Sequence, residues 1–275
     1  MILLFPRETH QKNLKIDPFF AEEYLAAIKA GFTCYFINEE RIKDAPMFCG
    51  MHVRKFEDLT DAIYRGYIIR NSGSFYYGFY TSLLKNNDVA LVNAPNQYQN
   101  AQWLCDSYSH FQQYMIPSVF MQNPTKKTIK LAAKQLNSKK LFVKDYVKSE
   151  NGLDCIDVED LDGAMQTLKN LETERGDMIE GGFAFRPYVD LSSIEYRLWV
   201  YKGRILNEKW EKLPEDLPAL LYKKIENFKS DFYTIDLGRY KSTGKLVAIE
   251  TNDGQVSGLK GLDPNTFYGA LKQYL

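Results

Sequence analysis

The feature that most constrains this chain is a change of rhythm near residues 117–124, which Pro117 and Pro124 bracket. Before it, short apolar runs alternate with amphipathic stretches. Residues 2–5 read as a buried strand. Asp17-Pro18 opens a helix, with aspartate at the N-cap and proline in the first turn. Phe19, Tyr24, Leu25 and Ile28 recur along it at helical spacing, and Gly31 stands where a C-cap belongs. Further strands are expected at 32–37, 64–69 and 89–92, with helices at 75–84 and 98–114. Strand, helix and strand in repeated order predicts a parallel sheet with crossover helices.

Beyond Pro124 the order changes. A helix is expected at 125–136 and a strand at 140–146. Leu161, Ala164, Met165, Leu168 and Leu171 line one face of a second helix. Gly181-Gly182 leads into a strand at 183–189. Residues 196–201 and 204–207 read as a hairpin turning at Lys202-Gly203. A helix at 217–228, strands at 232–238 and 245–251, and a closing helix at 266–274 complete an α+β pattern. The fold class is therefore α/β followed by α+β, with no internal repeat or low-complexity stretch.

Several function classes drop out. The 275 residues carry 35 Lys+Arg against 35 Asp+Glu, so the long-range field used by nucleic-acid binders is missing. The apolar run Met1–Phe5 is closed by Pro6-Arg7-Glu8, too short for a signal core or a membrane span, and a cytoplasmic protein without a membrane partner is expected. Cys34, Cys49, Cys105 and Cys155 form no C-x-x-C pair, and His10, His52 and His110 stand alone. Zinc ribbons, redox dithiols and local Cys-His nucleophiles lack support. Chemistry must come from carboxylates, lysine and arginine.

Four segments of the second half supply those groups. Lys144 ends the apolar strand Leu141-Phe-Val-Lys-Asp145, where rigid scaffold aims an ammonium at a phosphate oxygen or simply at solvent. Arg186 and Arg197 sit in apolar strands and need anionic partners, either a phosphate or Glu195, Asp190 or Asp145. Asp236 and Glu250 fall at matching ends of two adjacent strands, with Asn252 and Asp253 just beyond. Oxygen ligands converging from two strand ends suit Mg²⁺ completed by phosphates, and solvated turn carboxylates fit the same spacing. Glu250 and Asn252 share a face at period two.

In this order the segments resemble the ATP-grasp superfamily, and within it the clade named for two arginines and a lysine. The motifs are Lys144-Asp-Tyr-Val-Lys-Ser149, Gly181-Gly-Phe-Ala-Phe-Arg186, Glu195-Tyr-Arg-Leu198 and Glu250-Thr-Asn-Asp-Gly-Gln-Val-Ser-Gly258. Tyr64-Arg-Gly66, Asn93-Ala-Pro95 and Ile116-Pro117 extend the resemblance over nearly the whole chain.

The resemblance implies an ATP-grasp fold. A parallel-sheet pre-ATP-grasp domain would span 1–120, and two α+β lobes, 121–185 and 186–275, would clamp ATP. It implies an ATP- and Mg²⁺-dependent ligase that activates a carboxylate as an acyl-phosphate for attack by an amine, forming ADP. A non-catalytic ATP-binding assembly factor acting on a protein partner is the alternative found among relatives. The carboxylate and amine would belong to a small molecule, a peptide or a protein. Lys144, Arg186 and Arg197 would be the catalytic groups facing phosphates and acyl-phosphate. Lys144, Lys148, Arg186, Pro187, Tyr188, Val189 and Asp190 would bind the nucleotide. Asp236 and Glu250, with Asn252 or Asp253, would hold Mg²⁺, and Arg65 would either face the substrate or form a structural salt bridge.

Two departures stand out. Pro187 replaces the acidic residue that relatives carry after the hinge arginine, so adenine contacts fall to the Arg186 or Pro187 carbonyls and the Tyr188 or Val189 N–H. The glycine-rich lid is short, with only Gly152 near Lys148-Ser149-Glu150-Asn151. Lys126, Lys127, Lys134, Lys139 and Lys140 are all candidates for an additional upstream lysine.

Overall fold

The computed structural model describes residues 1–8, 15–37, 47–48, 51–52, 58–66, 77–78, 81–82, 84–86, 88–147, 155–176, 179–207, 213–214 and 216–275. Three sheets carry the architecture. In the first, β1 (Ile2–Pro6), β2 (Thr33–Ile37), β5 (Thr60–Tyr64) and β6 (Val89–Leu91) run parallel. The short β3 (Met47–Phe48) and β4 (Met51–His52) extend it antiparallel, giving the order β4-β3-β2-β1-β5-β6. The second sheet, order β7-β10-β8-β9, is antiparallel and uses β7 (Val119–Met121), β8 (Lys140–Asp145), β9 (Cys155–Asp157) and β10 (Phe183–Pro187). The third, order β12-β11-β13-β14, uses β11 (Tyr196–Tyr201), β12 (Arg204–Ile205), β13 (Phe232–Arg239) and β14 (Leu246–Asp253). Helices α1 (Ala21–Lys29), α2 (Pro95–Gln102), α3 (Leu104–Phe111), α4 (Lys126–Gln135), α5 (Leu161–Arg175), α6 (Ala219–Glu226) and α7 (Pro264–Gln273) cover these sheets.

The parallel sheet and the later hairpins follow the sequence pattern, and four local expectations do not. Asp17 caps as expected, its carboxylate accepting from Phe19 N–H at 2.9 Å. Yet α1 turns Glu23, Ala26 and Ala27 inward, while Phe19 and Leu25 are 74% and 64% exposed. Two alanines let the helix approach closely, and Glu23 is drawn inside by a buried cation. The expected single helix at 98–114 is two, broken at Trp103 in an extended conformation. Leu104 N–H there donates to the Tyr146 carbonyl at 2.7 Å instead of continuing the helix. The third parallel strand is Thr60–Tyr64 rather than 64–69, and residues 67–69 lie outside those described. Finally, β7 and β9 have three residues each, too few for periodicity to reveal. The expected limits at 120/121 and 185/186 fall inside β7 and β10.

Three motifs from separate parts of the chain meet between the first and third sheets. Arg65 is 1% exposed. Its Nε and Nη2 donate to Glu23 at 3.0 and 3.2 Å, and its terminal nitrogens donate to the carbonyls of Gly254 at 2.5 Å and Ser257 at 2.8 Å. Tyr268 O–H donates to Glu23 at 2.7 Å, and the guanidinium lies 5.4 Å from the Trp199 ring centre. Asn93 is equally committed. Its oxygen accepts from Asp231 and Phe232 N–H, both at 3.0 Å, and its amide donates to the Phe232 carbonyl and to Asp253. Gln255 accepts from Tyr64 N–H at 3.1 Å and donates to the Tyr77 hydroxyl at 2.7 Å. A buried polar group is stable only when so satisfied.

Replacing Arg65 by Met strands the Glu23 carboxylate in the interior, an error that typically costs about 3–5 kcal/mol. Urea unfolding of Arg65→Met is expected to show a loss of that size. Changing Glu23 to Met as well is expected to recover part of it, because no uncompensated charge then remains.

Candidate functional site

The site begins with register. Arg197 on β11, Asp236 on β13 and Glu250 on β14 are directly paired across three strands, so their side chains stand in one row on one face. Thr234 and Asn252 form the next rung on that face. The register slips between Asp236 and Leu237, which pairs with Ala248, so Ile249 is the extra residue of a bulge. Its carbonyl accepts from Arg186 Nη1 at 2.8 Å, tying β14 to the second sheet.

The second sheet offers a complementary row. Lys144 pairs with Ala184, and Arg186 with Phe142, so both cations share a face. The opposite face, with Leu141, Val143, Phe183 and Phe185, packs under α4 and α5. Lys144 Nζ reaches Glu250 Oε2 at 2.7 Å, with side-chain exposures of 4% and 28%. Arg197 grips both Asp236 oxygens at 2.7 and 2.6 Å and donates to the Gly258 carbonyl at 2.8 Å. Arg186 Nε donates to Ser118 Oγ at 3.0 Å, while its buried Nη2 has no partner in the described residues. Lys260 pairs with Glu195 and lies 3.5 Å from Asp236. Beside Arg197 and Glu250 lies a cleft of about 60 Å³, lined also by Gln102, Asn252 and Ser257 among others.

The charges shape one another. Burial alone would raise the Glu250 carboxyl, but the Lys144 ammonium, the Asn252 amide and Arg186 outweigh it and hold it at about 2. Burial lowers the Arg186 guanidinium to about 10, the expense of a cation incompletely paired. Burial also disfavours the Arg197 charge, but the bidentate contact with Asp236 more than restores it.

The sequence-derived residues divide into those the structure brings together and those it does not. Lys144, Arg186, Arg197, Asp236, Glu250 and Asn252 converge, and Asn252 Nδ2 donates to Glu250 at 3.3 Å. Asp253 points to the other face of β14, as strand alternation requires. There it is fully buried against Asn93 and Gln255, and burial pushes its carboxyl up to about 6. It is not beside Glu250. Arg65 is buried, and among the described residues Glu23 and the 254–257 carbonyls take its donors. Tyr188 N–H is engaged by the Lys140 carbonyl at 2.9 Å, which removes it from the adenine donors expected after Pro187. Pro187 ends β10, Val189 is half-buried, and Asp190 pairs with Lys241 at 2.7 Å. Lys148 and the short lid around Gly152 lie outside the described residues. Among the upstream lysines, Lys126 and Lys139 pair with Asp162 and Glu159 in the exposed layer.

Sequence reading missed Ser118, Gln102, Ser257 and Lys260. Ser118 and Ser257 each carried a signal, lying against Pro117 and inside the 250–258 motif. Gln102 carried none, because its place depends on the break at Trp103.

No group of three or more His, Cys, Asp or Glu side chains among the described residues forms a ready metal cage. Two carboxylates and an amide oxygen on one face do suit Mg²⁺, which prefers one or two protein carboxylates and takes further oxygens from phosphates. Among the described residues, no helix is long and apolar enough to cross a membrane.

Comparison with known proteins gives a consistent picture. A family model for the ATP-grasp domain, family 3 of the clade named for two arginines and a lysine, matches residues 133–271. A search of curated proteins finds no match. Among solved structures, D-cycloserine synthetase DcsG superposes with a TM-score of 0.65 at 14% identity, covering 100% of this chain and 99% of that one. The macrocyclase MdnC from Microcystis aeruginosa MRC, bound with precursor peptide MdnA, gives 0.61 at 13%, covering 100% and 99%. A RimK domain ATP-grasp protein from Sphaerobacter thermophilus DSM 20745 gives 0.60 at 15%, covering 99% and 98%.

The Glu250 carboxyl lies below its ordinary value of 4.5 in the fold, so its pairing stabilises the protein above that pH and is lost as pH falls towards 2. With partial exposure discounted, Glu250→Gln is expected to be less stable than wild type by about 2 kcal/mol at pH 7. The difference in urea midpoint is expected to shrink below pH 4.5 and vanish near pH 2.

Proposed function

The chain belongs to the third ATP-grasp domain family of the two-arginine, one-lysine clade, and from that membership we propose an ATP- and Mg²⁺-dependent ligase that joins a carboxylate to an amine with formation of ADP. The observation that carries the proposal is the facing pair of charged rows. Lys144, Arg186 and Arg197 supply three cations beside Asp236 and Glu250, between two sheets.

Such a reaction asks little covalent chemistry of the protein. A carboxylate oxygen attacks the γ-phosphorus as the bond to the β,γ-bridging oxygen breaks and ADP leaves. An amine nitrogen then attacks the acyl carbon, and phosphate departs. Negative charge gathers on phosphoryl oxygens throughout, so positioning and neutralisation dominate. Lys144 and Arg197 are proposed to hold phosphate oxygens, and the unpartnered Arg186 Nη2 is a donor ready for one. Asp236, Glu250 and Asn252 would hold Mg²⁺, which neutralises phosphate charge when bound. Asp253, on the other face, is not among these ligands. The strand ending at Pro187 and the turn to Asp190 would flank the nucleotide base.

The neighbours suggest where to look for substrates: one is described as a D-cycloserine synthetase, and another is bound to a precursor peptide. Amino acids and peptides with free carboxyl and amino groups are suitable first candidates.

The test is ADP release on supplying paired carboxylate and amine candidates. Wild type is expected to form ADP and phosphate in step with product, and folded Glu250→Gln to lose at least about 100-fold in rate, the scale of one lost transition-state contact. ATP binding without ADP from any acceptor would favour a non-catalytic nucleotide-dependent assembly factor. Undiminished turnover in the variant would remove Glu250 from the metal set.

A further inference from the structure

Building on the ATP-grasp reading, we propose that Glu250 is a specificity-determining residue: it closes Lys144 to metal-free polyphosphate and is drawn away only by a divalent cation. Both oxygens of this carboxylate are already spoken for. Oε2 accepts from Lys144 at 2.7 Å and Oε1 from Asn252 at 3.3 Å. A cation drawn to this carboxylate competes with the ammonium for the same negative charge. Lys144 in turn is buried, and among the described residues its ammonium pairs with Glu250.

The neighbouring pair repeats the arrangement. Arg197 is occupied by both oxygens of Asp236, the second carboxylate of the metal set. The same four side chains thus have two ways of balancing charge. In one, each carboxylate neutralises a cation of the chain. In the other, both carboxylates face a divalent ion while Lys144 and Arg197 face phosphates. A metal alone would strand two cations, the buried Lys144 and the half-buried Arg197. A polyphosphate alone would be set against two carboxylates. Either mismatch is expensive in a poorly solvated site, so the two ligands favour one another.

Two polar contacts, Lys144 to Glu250 and Arg186 to the Ile249 carbonyl, join the second sheet to the third. Drawing Glu250 towards a cation releases the first of them and frees the Lys144 ammonium.

The measurement is calorimetric titration of adenosine 5′-(β,γ-imido)triphosphate into wild type and Glu250→Gln, with excess Mg²⁺ and with a chelator. Wild type is expected to bind the analogue at least about tenfold more tightly with Mg²⁺. Glu250→Gln is expected to bind the metal-free analogue about tenfold more tightly than wild type does, and to gain little from Mg²⁺. Asp236→Asn is expected to move the same way through Arg197, and it serves if Glu250→Gln does not fold. If neither folded variant gains affinity for the metal-free analogue, Glu250 and Asp236 act only as metal ligands and the proposal is overturned. If wild type binds the analogue under neither condition, it is the proposed ATP-dependent ligase function that fails, a distinguishable result.

Discussion

The structure depends on a guanidinium with no freedom left. Arg65 leaves the end of β5, crosses to Glu23 on α1, and fixes the Gly254 and Ser257 carbonyls just after β14. Around it, Asn93 and Gln255 tie the first sheet to β13 and to the same loop. The loop cannot shift without breaking several buried hydrogen bonds at once, which is how a polar network specifies one arrangement. Since Arg197 donates to the Gly258 carbonyl, that constraint reaches the charged row directly. The first sheet contributes no side chain to the row, yet it decides where the loop beside it lies.

Given that anchor, the third sheet does the rest by register. Direct pairing across β11, β13 and β14 sets a guanidinium and two carboxylates side by side, and the bulge at Ile249 frees a carbonyl for Arg186. Concentrating this charge in a partly buried row is tolerable only because each carboxylate has its own cation, Asp236 with Arg197 and Glu250 with Lys144. Desolvation would otherwise exceed the Coulombic gain. The orphaned Arg186 Nη2 is the exception, and the lowered affinity of that guanidinium for its proton measures the imbalance.

How much of this was legible in the sequence follows from what each signal encodes. Period-two and helical spacing marked the strands that hold Lys144, Arg186, Arg197, Asp236 and Glu250, because those strands are long and bounded by turn residues. The same alternation that puts Glu250 and Asn252 on one face excludes Asp253, so that exclusion was readable from period two alone. Arg65 was not readable. Its partner Glu23 lies 42 residues away on a helix whose apolar stripe advertises the wrong face. Nothing local tells a helix that a buried cation will draw a glutamate inward. The break at Trp103 likewise depends on the Tyr146 carbonyl, far along the chain from Leu104, and a tertiary hydrogen bond overrode local propensity.

The two arginines nearest in kind, Arg65 and Arg197, show why a motif position does not fix a role. Both are bidentate to a carboxylate and both donate to backbone carbonyls of the 254–258 loop. They differ in what surrounds the carboxylate. Glu23 is enclosed, with Tyr268 completing its shell, so the Arg65 pair has nothing to exchange with. Asp236 stands in register with Glu250 and 3.5 Å from Lys260, and its partner Arg197 lines a cleft, where an incoming ion can compete for the pair. An ion pair sealed on all sides is architecture, whereas one bordering a cleft with a second pair in register has an alternative state of similar charge balance. That difference in surroundings, rather than residue type, separates the junction from the site.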